Sequence, residues 1–456
     1  MSVDERTTPG TAAASKAERR IELDRYSSDL RLSFVDWAQK LHAGPRIAWN
    51  DTHGGYWFVN GNQEVFDVAR RADVLSNDAV RYGGIGIPAM DPAARGGVIG
   101  GFLEMDPPRQ RYHRNALNAY LSPAAVARWQ PVMDEITRAA IDDHIESGSI
   151  DFVEDLANVV PAVLTMGLLG LPLEDWVIYN EPSHAGVYTP IDSPDWPRVQ
   201  QLGIEMGMRT LEHIQRARTH PRPGLLQAVV DADLGDGDRA DDLEVIGVVG
   251  LLIGGGFDTT TALTAHALEW LGEHPDQRER LVREWETLRD SATEEFLRFY
   301  TPAQGDGRTV TQDVEIDGAH LSAGDRLWIS WAMANRDETV FEDANEIRLD
   351  RTGNRHSSFG LGIHRCIGSN VARATFKTML KAVLDRMPDF VCDPTGTVHY
   401  ETTQVINGMR FLPATFTPGQ RQGPGVEETI AGLQRVIDSQ GLAEPVTVRT
   451  GRGTPG

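Results

Sequence analysis

A single cysteine set among glycines narrows the options for this chain more than any other feature. Ser358 to Gly368 reads SFGLGIHRCIG, with Gly360, Gly362 and Gly368 around Cys366, and a helical pattern of Ile367, Val371 and Ala374 follows at once. A sulfur just ahead of a helix N-terminus meets free backbone N–H groups and the positive end of the helix dipole, which together favour the thiolate. Glycines let the backbone close around that sulfur and let a flat macrocycle lie against it. A thiolate presented in this way can ligate haem iron.

The rest of the chain has to supply a large interior for such a group. It has 456 residues, of which 40% are hydrophobic and 24% charged, so there is material for a sizeable core. Lys plus Arg number 44 against 66 Asp plus Glu, a net charge of −22. That balance argues against general binding to nucleic acid or to an anionic membrane, both polyanions. The only other cysteine is Cys392, too few for a disulfide framework, and a reducing cytoplasm is the expected location. The opening residues MSVDERTTPGTAAASKAERR carry no apolar core of the kind a signal peptide or anchor needs, and no membrane association is expected.

Residues 1–20 read as disordered from composition, and residues 21–416 as one catalytic domain. A helix is expected over 29–42, then a hairpin of IAWN and YWFV joined through Gly-Gly. The Gly- and Ala-rich stretch 77–104, with Ile85, Ile87, Met90, Phe102 and Leu103, suggests a lid. Helical patterns then dominate over 107–300, with Ser122 and Pro123 as an N-cap pair. Residues 240–272 read as one long helix containing Gly254, Gly255 and Gly256, a costly insertion suggesting that something approaches the backbone there. Strand patterns return near 308–333 and 398–416. The 417–456 extension carries one amphipathic helix with Val426, Ile430, Leu433 and Ile437 on one face. The fold class is mainly α with small β-sheets.

The pattern F-x-x-G-x-H-R-C-x-G from Phe359 to Gly368 resembles the haem-binding loop of the cytochrome P450 family, and further matches in the family's order extend the likeness over about residues 30–416. Glu295-Phe-Leu-Arg298 puts two opposite charges at i and i+3 of a helix. In the family such a pair, with a later arginine placed here at Arg351, braces the cysteine loop. Gly255-Gly256-Phe257-Asp258-Thr259-Thr260 is similar to the family's oxygen-activating motif. A Thr259 hydroxyl can bond the Gly255 carbonyl at i−4 and open the helix. Asp258 and Thr259 then become the candidates for proton delivery. By the same resemblance Gln110, Arg114, Arg308 and His364 would serve the haem propionates, and Phe359, Gly360, Gly368 and Gly255 would line the cofactor. The chain departs from the family at Thr375, where glutamate is frequent, and at Ala344 and Ile347 before Arg351.

The resemblance implies a bacterial-type haem-thiolate monooxygenase holding haem b through Cys366. It would use O2 and two external electrons to hydroxylate an apolar or amphipathic small molecule. No flavin or nicotinamide motif is present, so a ferredoxin-type donor with its reductase is implied. Arg114, Arg365, Arg373, Lys377 and Lys381 form a candidate docking patch for that donor. Peroxide-driven chemistry, or a haem sensor that has kept the fold, are the alternatives.

Overall fold

The structure, a computed structural model, describes residues 15–190, 192–403 and 406–446. The expected disorder of residues 1–20 falls mainly outside the described residues, as do Val405, Ile191 and the chain end from 447. Among the described residues helices dominate, with four small sheets.

The largest sheet has six strands in the order Arg20–Ile21, Ile47–Asn50, Tyr56–Val59, Arg326–Ser330, Gly305–Val310 and Leu75–Ser76. Its hairpin is the expected one, with Ala48 opposite Phe58 and Trp49 opposite Trp57. The Gly305–Val310 strand pairs antiparallel with Arg326–Ser330, which sets Arg308 opposite Leu327. A second sheet joins Val391–Cys392, Pro413–Thr415 and Ser149–Asp151, and a hairpin joins Val398–His399 to Met409–Phe411.

The main core lies among the helices. Every residue of Val159–Leu169 is buried, as its unbroken apolar composition requires. Two stretches, Phe152–Leu169 and Asp242–Glu273, are long and apolar enough to cross a membrane, and 89% and 56% of their most apolar windows are buried in the fold. Both are interior helices of this body.

Two helices differ from expectation. The 29–42 segment is divided into Ser28–Leu32 and Phe34–His42, because Ser33 leaves helical geometry and its N–H closes on the Asp29 carbonyl at 2.8 Å. The 240–272 segment breaks at Phe257 (φ −86°, ψ −82°) into a glycine helix, Asp242–Gly256, and a threonine helix, Asp258–Glu273. The cause is the bond expected from sequence: the Thr259 hydroxyl donates to the Gly255 carbonyl at 2.9 Å and competes with the backbone ladder. Gly256 packs against protein, since a methyl there would meet Thr165 Oγ1 at 2.7 Å. A methyl on Gly254 or Gly255 would meet nothing within 4 Å.

The extension is docked on the body through Val426–Gln440, which buries Ile430, Leu433 and Ile437. Asp142 anchors it: this buried carboxylate accepts the N–H groups of Gln422 and Gly423 at 2.9 and 2.8 Å and pairs with Arg386 at 2.7 Å.

Candidate active site

The cysteine loop is built against a buried ion network. Glu295 and Arg298, one turn apart on the helix Trp285–Tyr300, are both fully buried. Arg298 donates to the two Glu295 oxygens at 2.9 and 2.8 Å, and Arg351 adds a bond to Oε2 at 2.9 Å. The remaining guanidinium N–H groups find the carbonyls of Asn335, Ala344, Glu346 and Glu342. Burial alone would raise the Glu295 carboxyl, but the bonds from Arg298, the Arg348 N–H and Arg351 hold it below the ordinary range. The network reaches the loop through Ser358, whose hydroxyl donates to the Leu297 carbonyl at 2.7 Å and accepts from Asn335 at 2.8 Å.

Cys366 follows directly. Its N–H donates to the Phe359 carbonyl at 2.7 Å, across a turn in which Gly360 and Gly362 take φ of +64° and +71°. A methyl on Gly362 would lie 2.3 Å from the Ala69 carbonyl. The Cys366 side chain is accessible. Burial pushes its thiol up, while the Gly368 N–H and the guanidiniums of Arg114, Arg365 and Arg373 pull the other way. The helix Ser369–Arg386 starts immediately behind it.

Cations gather around this loop. Arg114 donates to the Arg365 carbonyl and Gln110 to that of Ile363, both at 2.7 Å. Gln110, expected on a propionate, thus spends an amide N–H on the loop backbone. Arg308 is buried and paired with Asp306 at 2.7 Å. Both ring nitrogens of His364 are buried without a partner. Burial, then the charges of Arg308 and Arg114, push its imidazole down to about 2. An unpartnered imidazole within electrostatic reach of two guanidiniums suits an anionic group, so the residues present fit a haem with its two carboxylates.

His113 plays no part in this. Its Nε2 lies 2.7 Å from Glu244, which Arg109 also binds, tying the helix Arg109–Leu121 to the glycine helix.

Asp258 and Thr259 are adjacent but differently placed. Thr259 is turned onto the Gly255 carbonyl, whereas the Asp258 carboxylate is buried with Oδ1 2.6 Å from His184 Nδ1. Tyr400 donates its hydroxyl to the same carboxylate at 3.0 Å. Burial and the Asp258 charge push the Tyr400 phenol up, so it keeps its proton. His184 Nε2 is buried and lies 3.8 Å from Glu154, which is 46% exposed.

Comparison with known proteins bears on the whole arrangement. The Cytochrome P450 family profile matches residues 199–403. Cytochrome P450 105A3 of Streptomyces carbophilus is 31% identical over 318 residues, 69% of this chain and 76% of that protein. The chain belongs to the cytochrome P450 family. A steroid C26-monooxygenase of Mycolicibacterium smegmatis is 29% identical over 360 residues, 78% of this chain and 86% of the relative. Among solved structures, CYP109E1 of Bacillus megaterium with testosterone superposes with a TM-score of 0.74 at 27% identity, over 86% of this chain and all of that one. CYP268A2 of Mycobacterium marinum with pseudoionone gives 0.76 at 25% identity, over 91% of this chain and all of that one. This P450 is therefore a haem-thiolate monooxygenase.

In this P450 the segment 77–104 is knitted around a residue that sequence reading missed. The buried Glu104 accepts the N–H groups of Ile85 and Gly100 at 3.0 and 2.6 Å and pairs with Arg95 at 2.8 Å. Gly101 and Gly247 pack so closely that a methyl on Gly247 would lie 2.4 Å from the Ile99 carbonyl. The expected docking patch is largely neutralised within the chain. Arg373 is bidentate to Glu294 at 2.6 and 2.7 Å, Lys377 pairs with Asp290 at 2.7 Å, and Lys381 pairs with Asp385. Arg365 remains exposed.

The Glu294 pairing sets an acid limit on the fold. Burial would raise its carboxyl, but Arg373 and then His356 hold it down at about 2. A group whose folded value lies below its unfolded value of about 4.3 stabilises fully above that pH and loses the contribution as pH falls toward 2. The shift corresponds to at most about 3 kcal/mol. The contribution of this pair to the urea midpoint should be full and flat between pH 7 and 5, then be lost between about pH 4.5 and 2. Glu294→Gln should lower the midpoint at pH 7 and flatten that acid limb. A variant as steeply acid-sensitive as the parent would remove Glu294 from the account.

Proposed function

We propose that this P450 hydroxylates an apolar or amphipathic small molecule, with Cys366 as the axial ligand, Arg114 and Arg308 facing the propionates, and Asp258 and Thr259 delivering protons. Residues 21–416 form the catalytic domain. Electrons come from a separate ferredoxin-type donor and its reductase, in the cytoplasm, and Arg365 is the cation best placed to meet that donor. The helix break at Phe257 carries the reading, because it places the Thr259 hydroxyl beside the accessible Gly254 and Gly255 on an otherwise apolar helix. The names of the relatives agree with an apolar substrate: one acts on a steroid, and a Mycobacterium tuberculosis relative, 27% identical over 371 residues, is a methyl-branched lipid omega-hydroxylase.

When bound, haem would supply the redox chemistry for activating O2. The chain's own residues position substrate and supply protons. Thr259 holds a hydroxyl at the break, where it can pass a proton into the accessible groove. Asp258, held by His184 and Tyr400, is the buried acid that replenishes it, and it must turn from those partners to do so.

Asp258→Asn keeps the size and the bond from Tyr400 but removes the titrating group. Product formation should fall by about 100-fold, within the range for a positioned general acid. Substrate-induced spectral changes should persist. Product formed and NADPH consumed, with a purified donor system and a panel of steroids and branched lipids, measure the first, and absorbance titration with the same panel measures the second. Full product yield from the variant would remove Asp258 from the relay. Absence of O2 uptake by the parent with every substrate and donor would count against the monooxygenase reading.

A further inference from the structure

A second cluster of ligating side chains lies at the far end of the threonine helix, among groups the haem chemistry does not use. His266 and Glu269 share one face of that helix at i and i+3, and His399 reaches them from the strand Val398–His399. His399 Nε2 lies 3.1 Å from both Glu269 oxygens, and His266 Nδ1 lies 3.7 Å from Oε2. One donor atom from each of the three falls within 4.8 Å of the other two.

The His266 ring distinguishes this cluster from an ordinary ion pair. It is 5% exposed, stacked on Tyr300 at 4.5 Å and 8°, and faced by the His399 ring at 5.8 Å. Its Nε2 is buried without a hydrogen-bond partner, and the 3.7 Å approach of Nδ1 to Glu269 is too long for a hydrogen bond. A cation between His266 Nδ1 and Glu269 would bridge a gap that the two side chains alone leave too wide for a hydrogen bond.

We propose that His266, Glu269 and His399 form a divalent transition-metal site, with Zn2+ the cation it fits best. Two imidazoles and a carboxylate are a three-ligand zinc set that leaves a fourth position for water. A tetrahedral ion with bonds of 2.0–2.1 Å needs ligand atoms about 3.3 Å apart. The separations of 3.1 and 3.7 Å bracket that value, so the two short edges close with small side-chain movements. His399 and Glu269 are 30% and 20% exposed, which gives an ion an entry path from solvent. The ion would pin the hairpin Val398–His399/Met409–Phe411 to the threonine helix. Tyr400, the residue after His399, is the one that holds Asp258, so occupancy would fix the far side of the proposed proton relay. The site itself stands whatever the haem does.

The test is calorimetric titration of the chelator-treated, haem-loaded protein with ZnCl2 alone, beside His399→Ala and Glu269→Gln. His399 is partly exposed on a two-residue strand, so its removal should leave the fold intact, and an unchanged far-UV spectrum checks this. One equivalent of Zn2+ per chain, with binding weakened at least about 100-fold in each variant, is the expected result. Excess Zn2+ should raise the Tm of the parent and leave that of His399→Ala unmoved. Zinc-edge absorption should then report nitrogen and oxygen neighbours with no sulfur. No saturable binding to the parent, or binding that both variants retain, overturns the proposal.

Discussion

Cys366→Ala should abolish the strongly red-shifted Soret band of the dithionite-reduced, carbon monoxide-treated protein, together with all turnover. The band reports thiolate ligation of the iron, and among the described residues only one other cysteine exists to replace the lost sulfur. Cys392 lies on the strand Val391–Cys392, with its sulfur near the Leu268 carbonyl. Burial pushes its thiol up to about 12, so it stays protonated. Cys366 differs in its surroundings: burial raises its thiol too, but a backbone N–H and three guanidiniums oppose that, and iron would complete the deprotonation. The variant should still fold, because the Glu295 network and the Ser358 bonds that shape the loop do not involve the sulfur. A parent-like spectrum from the variant would show that another group holds the iron. A parent that shows a histidine-type band would do the same without any mutation.

What could be seen beforehand in the amino-acid order was whatever is local. The Thr259 bond to Gly255 is an i−4 contact and the Glu295–Arg298 pair an i,i+3 contact, so spacing alone announces them. The glycines around Cys366 are equally local. Arg351 was reached through a resemblance rather than through spacing, and the structure places it on Glu295. What escaped notice are the contacts that depend on partners remote in sequence. Asp258 faces His184 and Tyr400 from a helix and a loop that nothing in the order of residues ties together. Glu104 looks like a lone acid at the end of a glycine-rich stretch, yet it organises that stretch from within. Arg373 and Lys377 look free on a helix face and turn out to be paired with Glu294 and Asp290 of a neighbouring helix. Net charge of −22 made a basic patch conspicuous in the sequence, and the same acidity supplies the carboxylates that neutralise it.

Glu295→Gln should be the most destabilising single change that preserves side-chain size. The parent carboxylate serves Arg298, Arg351, the Arg348 N–H and Asn354, and it is fully buried. An amide keeps one acceptor oxygen but places N–H groups against guanidinium donors and leaves two buried cations without a counter-charge. Breaking a buried pair by removing one partner costs about 3–5 kcal/mol, most of it the penalty of stranding the other charge. Arg348 provides the internal comparison. Its guanidinium pairs with Glu342 and Asp343 at 3.1 and 3.2 Å but is 40% exposed, so Arg348→Ala should cost less than about 1 kcal/mol. Guanidinium chloride unfolding of the two variants beside the parent measures both. The Glu295 variant should also retain haem poorly, because Asn335 links the Arg298 network to Ser358 just ahead of the cysteine loop. If Glu295→Gln unfolded within about 1 kcal/mol of the parent, the cysteine loop would have to be held by its own turn and by Gln110 and Arg114, and the network behind it would be incidental.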